Sequence, residues 1–240
     1  MPRRSQLTSP DDDFLNLVHA IVSGDTRKAA QMVDTLPALV LERSAVGATR
    51  HGAEPYFFKA IAHYMYAGDT ALHMAAAGFR HEIALGLIDR GADCCARNRR
   101  GAEPLHYAAD TNVWNPAAQA ATITCLVRAG ANPNATDKSG VAPLHRAVCT
   151  RCAAAVEALL NGGAEPRGRN KSGSTPLHLA VQNTGRGNSG APHATQQQRQ
   201  IIQLLLRAGA TPDDRDAKGK AVRDAATADW ICALLRDGLL

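Results

Sequence analysis

An all-α solenoid of stacked helix–turn–helix units, with hairpin-loop fingers and degenerate caps at both ends, is the fold class these 240 residues predict. The first observation is a phrase written four times: Ala71-Leu72-His73-Met74-Ala75, Pro104-Leu105-His106-Tyr107-Ala108, Pro143-Leu144-His145-Arg146-Ala147 and Pro176-Leu177-His178-Leu179-Ala180. The second is a Gly-Ala pair closing each stretch, at Gly91, Gly130, Gly163 and Gly209. The third is the spacing of the repeated Leu, which is 33, 39 and 33 residues. Self-similarity at a period of about 20 to 50 residues marks a repeat array whose units bury a core only by stacking on one another.

Each element of the unit has a local cause. Four residues before each repeated Leu stands a glycine, at 68, 101, 140 and 173, and Asn98, Asp137 and Asn170 precede the last three by three positions. Asn or Asp at the first corner and Gly at the fourth is type I turn chemistry. Thr70 and Thr175 suit a helix N-cap, and Pro104, Pro143 and Pro176 suit a first turn, where a missing N–H costs nothing. A short Ala-rich helix follows, small enough for a neighbour to approach closely. A second helix carries Ile83, Leu87, Ile88; Ile123, Leu126, Val127; Val156, Leu159, Leu160; and Ile202, Leu205, Leu206 at helical spacing. The Gly-Ala pair ends it, because glycine takes the left-handed C-terminal conformation freely.

In these residues the chain resembles the ankyrin repeat family. A period near 33 with T-P-L-H-x-A is that family's signature, and Ser174-Thr175-Pro176-Leu177-His178-Leu179-Ala180 is similar to its consensus. The resemblance covers residues 68–210 clearly and weakens outside them. One continuous solenoid is expected: repeats at 68–100, 101–139, 140–172 and 173–218, a degenerate N-terminal repeat or cap at 12–36, and a capping repeat at 219–240. In that last unit Arg223 and Asp224 replace Leu-His, and Trp230, Ile231, Leu234 and Leu235 would cover the end face. Residues 37–67 form an aromatic-rich insert holding Tyr56, Phe57, Phe58, Tyr64 and Tyr66, with an extra helix expected around 54–65. Units two and four are longer than the others between their helices, so loops are expected at 111–116 and 183–193, both on the edge opposite the fingers.

Composition adds limits. The longest apolar runs fall short of a membrane span, and Met1-Pro2-Arg3-Arg4 leads into polar residues without a signal-type apolar segment. A cytoplasmic protein, without membrane insertion and monomeric, is the expectation. The preponderance of arginine over lysine suggests a GC-rich bacterial genome. Six cysteines, at 94, 95, 125, 149, 152 and 232, lack the spacing of a disulfide scaffold and read as reduced thiols.

Motifs for chemistry are weak. His73, His106, His145 and His178 form a ladder, and the family resemblance implies a structural role, bonding backbone between adjacent repeats. His145, Cys149 and Cys152 share a helix face, but His145 belongs to the ladder and no fourth zinc ligand is evident. Gly185-Arg186-Gly187-Asn188-Ser189-Gly190 spells a dinucleotide fingerprint without the preceding strand that the fingerprint requires. No nucleophile stands with a base at a persuasive spacing, so neither enzymatic activity nor a cofactor is expected.

A binding surface is expected instead. The net charge is +5, and the finger residues Arg97, Arg99, Arg100, Lys138, Arg167, Arg169 and Lys171 would line up as a basic stripe. Such a stripe suits an acidic peptide or other acidic protein partner. Met74, Tyr107, Arg146 and Leu179 follow the repeated histidine, differ between copies, and are expected on the exposed side of the first helices. Trp114, in the loop of unit two, is a further anchor candidate. The reading is a non-catalytic protein–protein interaction scaffold. The alternatives are a basic nucleic-acid-associated adaptor, disfavoured because Tyr107 alone interleaves the stripe for base stacking, or a dedicated inhibitor or regulatory subunit of one enzyme.

Overall fold

A computed structural model describes residues 10–110, 113–182 and 192–237. Within them the chain forms a line of helix pairs: α1 (Pro10–Ser23) with α2 (Thr26–Thr35), α3 (Ala71–Ala77) with α4 (His81–Ile88), and α5 (Pro104–Ala109) with α6 (Pro116–Arg128). The line continues with α7 (Pro143–Cys149) and α8 (Ala153–Asn161), α9 (Pro176–Ala180) and α10 (Pro192–Arg207), and α11 (Val222–Ala225) and α12 (Asp229–Asp237). First helices stack on first helices from α1 through α11, and second helices on second helices from α2 through α10. The apolar ribbon between the layers is one continuous core in which Leu72, Leu105, Leu144 and Leu177 are buried in turn. Each such side chain contributes about 1.5–3 kcal/mol by leaving water.

The histidine ladder joins the units. In each, Nδ1 accepts the backbone N–H of the helix N-cap residue: Thr70 to His73 at 3.1 Å, Glu103 to His106 at 3.1 Å, Ala142 to His145 at 3.2 Å and Thr175 to His178 at 3.2 Å. That bond leaves the proton on Nε2, which donates to the next unit, at Ala102 O, Val141 O, Ser174 O and Lys220 O, over 3.1–3.3 Å. A neutral imidazole has one donor and one acceptor, and each copy uses both. In the last unit Asp224 stands in this place and accepts the Ala221 N–H at 3.2 Å, with no donor to send onward. Arg199 lies over the Trp230 ring at 4.9 Å, and Ile231 is fully buried beneath the C-terminal cap.

The fingers form as the turn chemistry predicts. Asn98 Oδ1 accepts the N–H groups of Arg100 and Ala102, and Asp137, Asn170 and Asp216 repeat the pattern two and four residues on. Neighbouring fingers are bonded in a row: Arg99 N–H to Ala67 O, Lys138 N–H to Arg100 O, Lys171 N–H to Ser139 O and Ala217 N–H to Ser172 O.

The insert departs from expectation. Residues 54–65 do not form an α-helix; a short 3-10 turn, Glu54–Tyr56, leads into a hairpin of two-residue strands, β1 (Phe57–Phe58) and β2 (His63–Tyr64), joined by a second 3-10 turn, Lys59–Ile61. The burial has the period of a strand: Phe58 and His63 face inward, Phe57 and Tyr64 outward. Aromatic side chains on a half-buried pleat fit this geometry better than a helix, and Ala62 turns the chain with a left-handed φ of 47°. Upstream, Ser44 and Ala48 bond to the backbone of Met65, Gly68 and Asp69, so residues 44–48 extend the finger row by one strand-like segment. Of the expected loop at 111–116, residues 113–115 are described as non-helical, and Asn115 caps α6 by accepting the Ala118 N–H. The other expected loop, 183–193, lies outside the described residues up to 191, and α10 begins at Pro192.

Candidate functional site

The main concavity of functional interest lies where the 62–66 hairpin faces the fingers and first helices of the second and third repeats. It is a cleft of about 500 Å³, lined by Tyr64 and Tyr66 of the insert together with Arg100 and Ser139 of the fingers. His63, Tyr107, Asp110 and Arg146 also line it. Two polar networks support the floor.

The first is centred on Asp69, which is fully buried. It accepts the Tyr107 hydroxyl at 2.9 Å, the Asn98 side-chain amide at 2.8 Å and the Tyr66 N–H at 2.6 Å. Burial, with Asp69 beside it, raises the Tyr107 hydroxyl well above the usual phenol range, so it stays a donor. His63 rests against Tyr107 with ring centroids 4.5 Å apart, and its Nδ1 bonds Tyr64 O at 2.7 Å. Burial holds His63 below the ordinary imidazole range, so it is neutral at neutral pH.

The second network is Arg146 between two carboxylates. Nη1 bonds Asp110 at 2.7 Å and Nη2 bonds Asp137 at 2.9 Å, which ties the end of α5 to the finger of the next unit. For Asp137, burial works to raise the pKa, but the Val141 N–H, Arg146 and the Ser139 N–H outweigh it and hold the carboxyl below its usual range. Planar guanidinium geometry suits such a bridge, since it offers two donors to two acids at once.

The expected surface residues divide. Met74 and Tyr107 are not exposed: Met74 is 0 % and Tyr107 2 % accessible. Every residue of α3 is buried because α1, α4, α5 and the 3-10 turn at Pro37–Val40 enclose it, and the insert's His63 lies on Tyr107. Arg146 is largely enclosed and spent on its carboxylates, and Leu179 is partly buried against the core. Among the basic residues, Arg97 pairs with Glu103, Arg99 bonds Ala48 O, Arg167 forks onto Asp214, and Arg169 bonds Gly173 O and Arg215 O. Arg100 stacks over the Tyr66 ring at 4.9 Å with its charge exposed. Lys138 and Lys171 are exposed and make no side-chain hydrogen bond or ion pair among the described residues. Trp114 is about half exposed at the α5–α6 edge, at the other end of the helices from the fingers.

The structure thus brings Arg100, Tyr107 and Arg146 to the cleft, sets Lys138 and Lys171 on the two fingers that follow, and leaves Trp114 apart. Sequence reasoning missed His63, Tyr64, Tyr66, Asp110 and Ser139 as parts of the cleft. The aromatic density of the insert was the available signal, but only the hairpin shows which rings face outward.

Among the described residues no group of three or more His, Cys, Asp or Glu is placed to hold a metal ion. All six cysteines are free thiols, and burial pushes Cys94 up to about 11, which suppresses its thiolate. No helix of the described residues is long and apolar enough to cross a membrane. In comparison with known families, residues 113–216 match ankyrin repeats in three copies and residues 67–99 match a single ankyrin repeat, together more than half of the chain. No curated protein matches it.

Proposed function

The chain belongs to the ankyrin repeat family, a family of typically non-catalytic protein–protein interaction modules, and from that premise we propose that it is a non-catalytic scaffold binding an acidic segment of a protein partner across its fingers. The observation that carries this reading is the contrast among the finger cations. Arg97 and Arg167 are neutralised by acids of their own chain, whereas Arg100, Lys138 and Lys171 present exposed charge from three consecutive, hydrogen-bonded fingers. A row of like charges on a rigid base raises the local concentration of an acidic partner and fixes its register. Rigidity comes from the turns: a Cβ added at Gly101 would meet the Lys138 stem at 3.1 Å, and one at Gly140 the Lys171 stem at 3.0 Å, so each lysine lies across its neighbour's glycine.

The test is affinity capture from the native host's lysate, comparing wild type with the triple variant Arg100→Glu, Lys138→Glu, Lys171→Glu, after circular dichroism has shown that both are folded. One protein recovered by wild type and lost with the variant supports the finger surface. Equal recovery by both removes it. Recovery that nuclease treatment abolishes would replace the protein partner by nucleic acid.

A further inference from the structure

The outward face of the insert hairpin is only partly covered by the rest of the fold. Phe57 and Tyr64 are opposite one another across the strand pair, their ring centroids 4.8 Å apart, and they remain 42 % and 37 % exposed. Their inward neighbours do the packing: Phe58 sits edge-on to His19 at 5.4 Å and His63 lies on Tyr107. Tyr64 also lines the cleft shared with Tyr66, Arg100 and Ser139, and Ser139 adjoins Lys138 in the next finger. A two-ring aromatic ledge therefore opens onto the start of the row of exposed cations.

We infer that this ledge is the anchor site for an extended acidic peptide segment, taking an aromatic or branched aliphatic side chain on Phe57 and Tyr64 while acidic residues follow along Arg100, Lys138 and Lys171. The inference rests on the finger-binding reading above and adds the anchor and the spacing. Lys138 and Lys171 hold the same place in successive fingers, two strand spacings and so about 10 Å apart, whereas Arg100 is only one strand from Lys138, whose N–H its carbonyl accepts. A polyproline II segment advances about 3.1 Å per residue with three residues per turn, so acids three residues apart lie about 9 Å apart on one face and meet first the Arg100–Lys138 pair and then Lys171. The ledge supplies what charge alone lacks: solvent-facing aromatic area at a defined end, which sets where the peptide begins.

The experiment uses the full chain and a fluorescein-labelled synthetic peptide that opens on tryptophan and carries glutamate at every third residue after it, followed by fluorescence anisotropy. Wild type is expected to bind it at least tenfold more tightly than a peptide of identical composition with its glutamates clustered, and at least tenfold more tightly than one with tryptophan replaced by alanine. The double variant Phe57→Ser, Tyr64→Ser is expected to lose the preference for tryptophan while still preferring spaced glutamates. The peptide exchange leaves the protein untouched, so a folding defect in the variant does not decide the result. Equal affinity for the tryptophan and alanine peptides overturns the ledge but leaves the fingers, provided that Lys138→Glu with Lys171→Glu still abolishes binding. No peptide binding, together with lysate capture through the fingers, overturns the anchor and spacing alone; failure of both assays overturns the finger reading as well.

Discussion

The Tyr107 hydroxyl lies 2.9 Å from both carboxylate oxygens of Asp69, thirty-eight residues earlier, and links the finger of the first repeat to the first helix of the second. Asn98 donates to both groups, at 2.8 Å to Asp69 and 2.9 Å to the Tyr107 oxygen. With Asp69 fully buried, this network is what permits a carboxyl group at that depth. Tyr107→Phe keeps the ring against His63 and His73 but withdraws one donor from Asp69. Urea unfolding should show a loss of about 1.5–3 kcal/mol with an unchanged m-value. A loss below a few tenths would mean that water replaces the hydroxyl.

Acid should weaken the stack before it neutralises the surface acids. Burial, the largest cause in each case, lowers the pKa of His73, His106 and His145, with His106 reaching about 4. Their folded pKa values lie below the unfolded value near 6.5, so between the two the unfolded chain binds more protons and stability falls as pH falls. The melting temperature should be flat between about pH 7 and 8 and drop between about 6.5 and 4, with His106 alone accounting for roughly 2–4 kcal/mol. His106→Gln should cost stability at pH 7 and flatten that decline; an unaltered slope would remove His106 from it.

Arg146 should be hard to replace. Arg146→Met leaves Asp137, largely buried, with only its backbone donors, at a cost of about 2 kcal/mol, below the range for fully enclosed pairs because Asp110 is partly wet. Arg146→Lys keeps the charge, yet one ammonium does not span both carboxylates, so denaturant midpoints should rank wild type above Lys above Met. Equal midpoints for wild type and Lys would show that charge alone suffices.

Two glycines separate backbone strain from crowding. Gly140 and Gly163 both have left-handed φ, +72° and +89°. A Cβ at Gly163 meets nothing within 4 Å, whereas one at Gly140 lies 2.9 Å from the Lys171 backbone nitrogen. Gly163→Ala should cost about 1–2 kcal/mol, the left-handed penalty alone, and Gly140→Ala should cost clearly more because the adjoining finger must shift. Equal losses would mean the finger row yields freely.

Much of this was legible in the chain because it depends on neighbours a few residues away. The Asx turns at Asn98, Asp137 and Asn170, the proline-led first helices and the Ile and Leu spacing of the second helices follow from short-range geometry repeated in register, whereas the bonding of the repeated histidines was implied by the family resemblance. Met74 shows where that reasoning stops. Its place after the repeated histidine marks a variable position, but its burial depends on what packs around α3, which includes α1 and the Pro37–Val40 turn from far upstream.

By itself, then, the sequence determined the repeat unit and the placing of basic residues on successive fingers, because each is a local choice multiplied by stacking. The tertiary structure alone decided which finger cations pair with acids, Arg97 with Glu103 and Arg167 with Asp214, and which keep exposed charge without an acid partner among the described residues, at Arg100, Lys138 and Lys171. It also decided that the aromatic insert is a hairpin, with Phe58 and His63 turned inward and Phe57 and Tyr64 left to solvent. Charge pairing and side-chain facing between segments distant in sequence depend on three-dimensional separations, which a linear pattern does not specify.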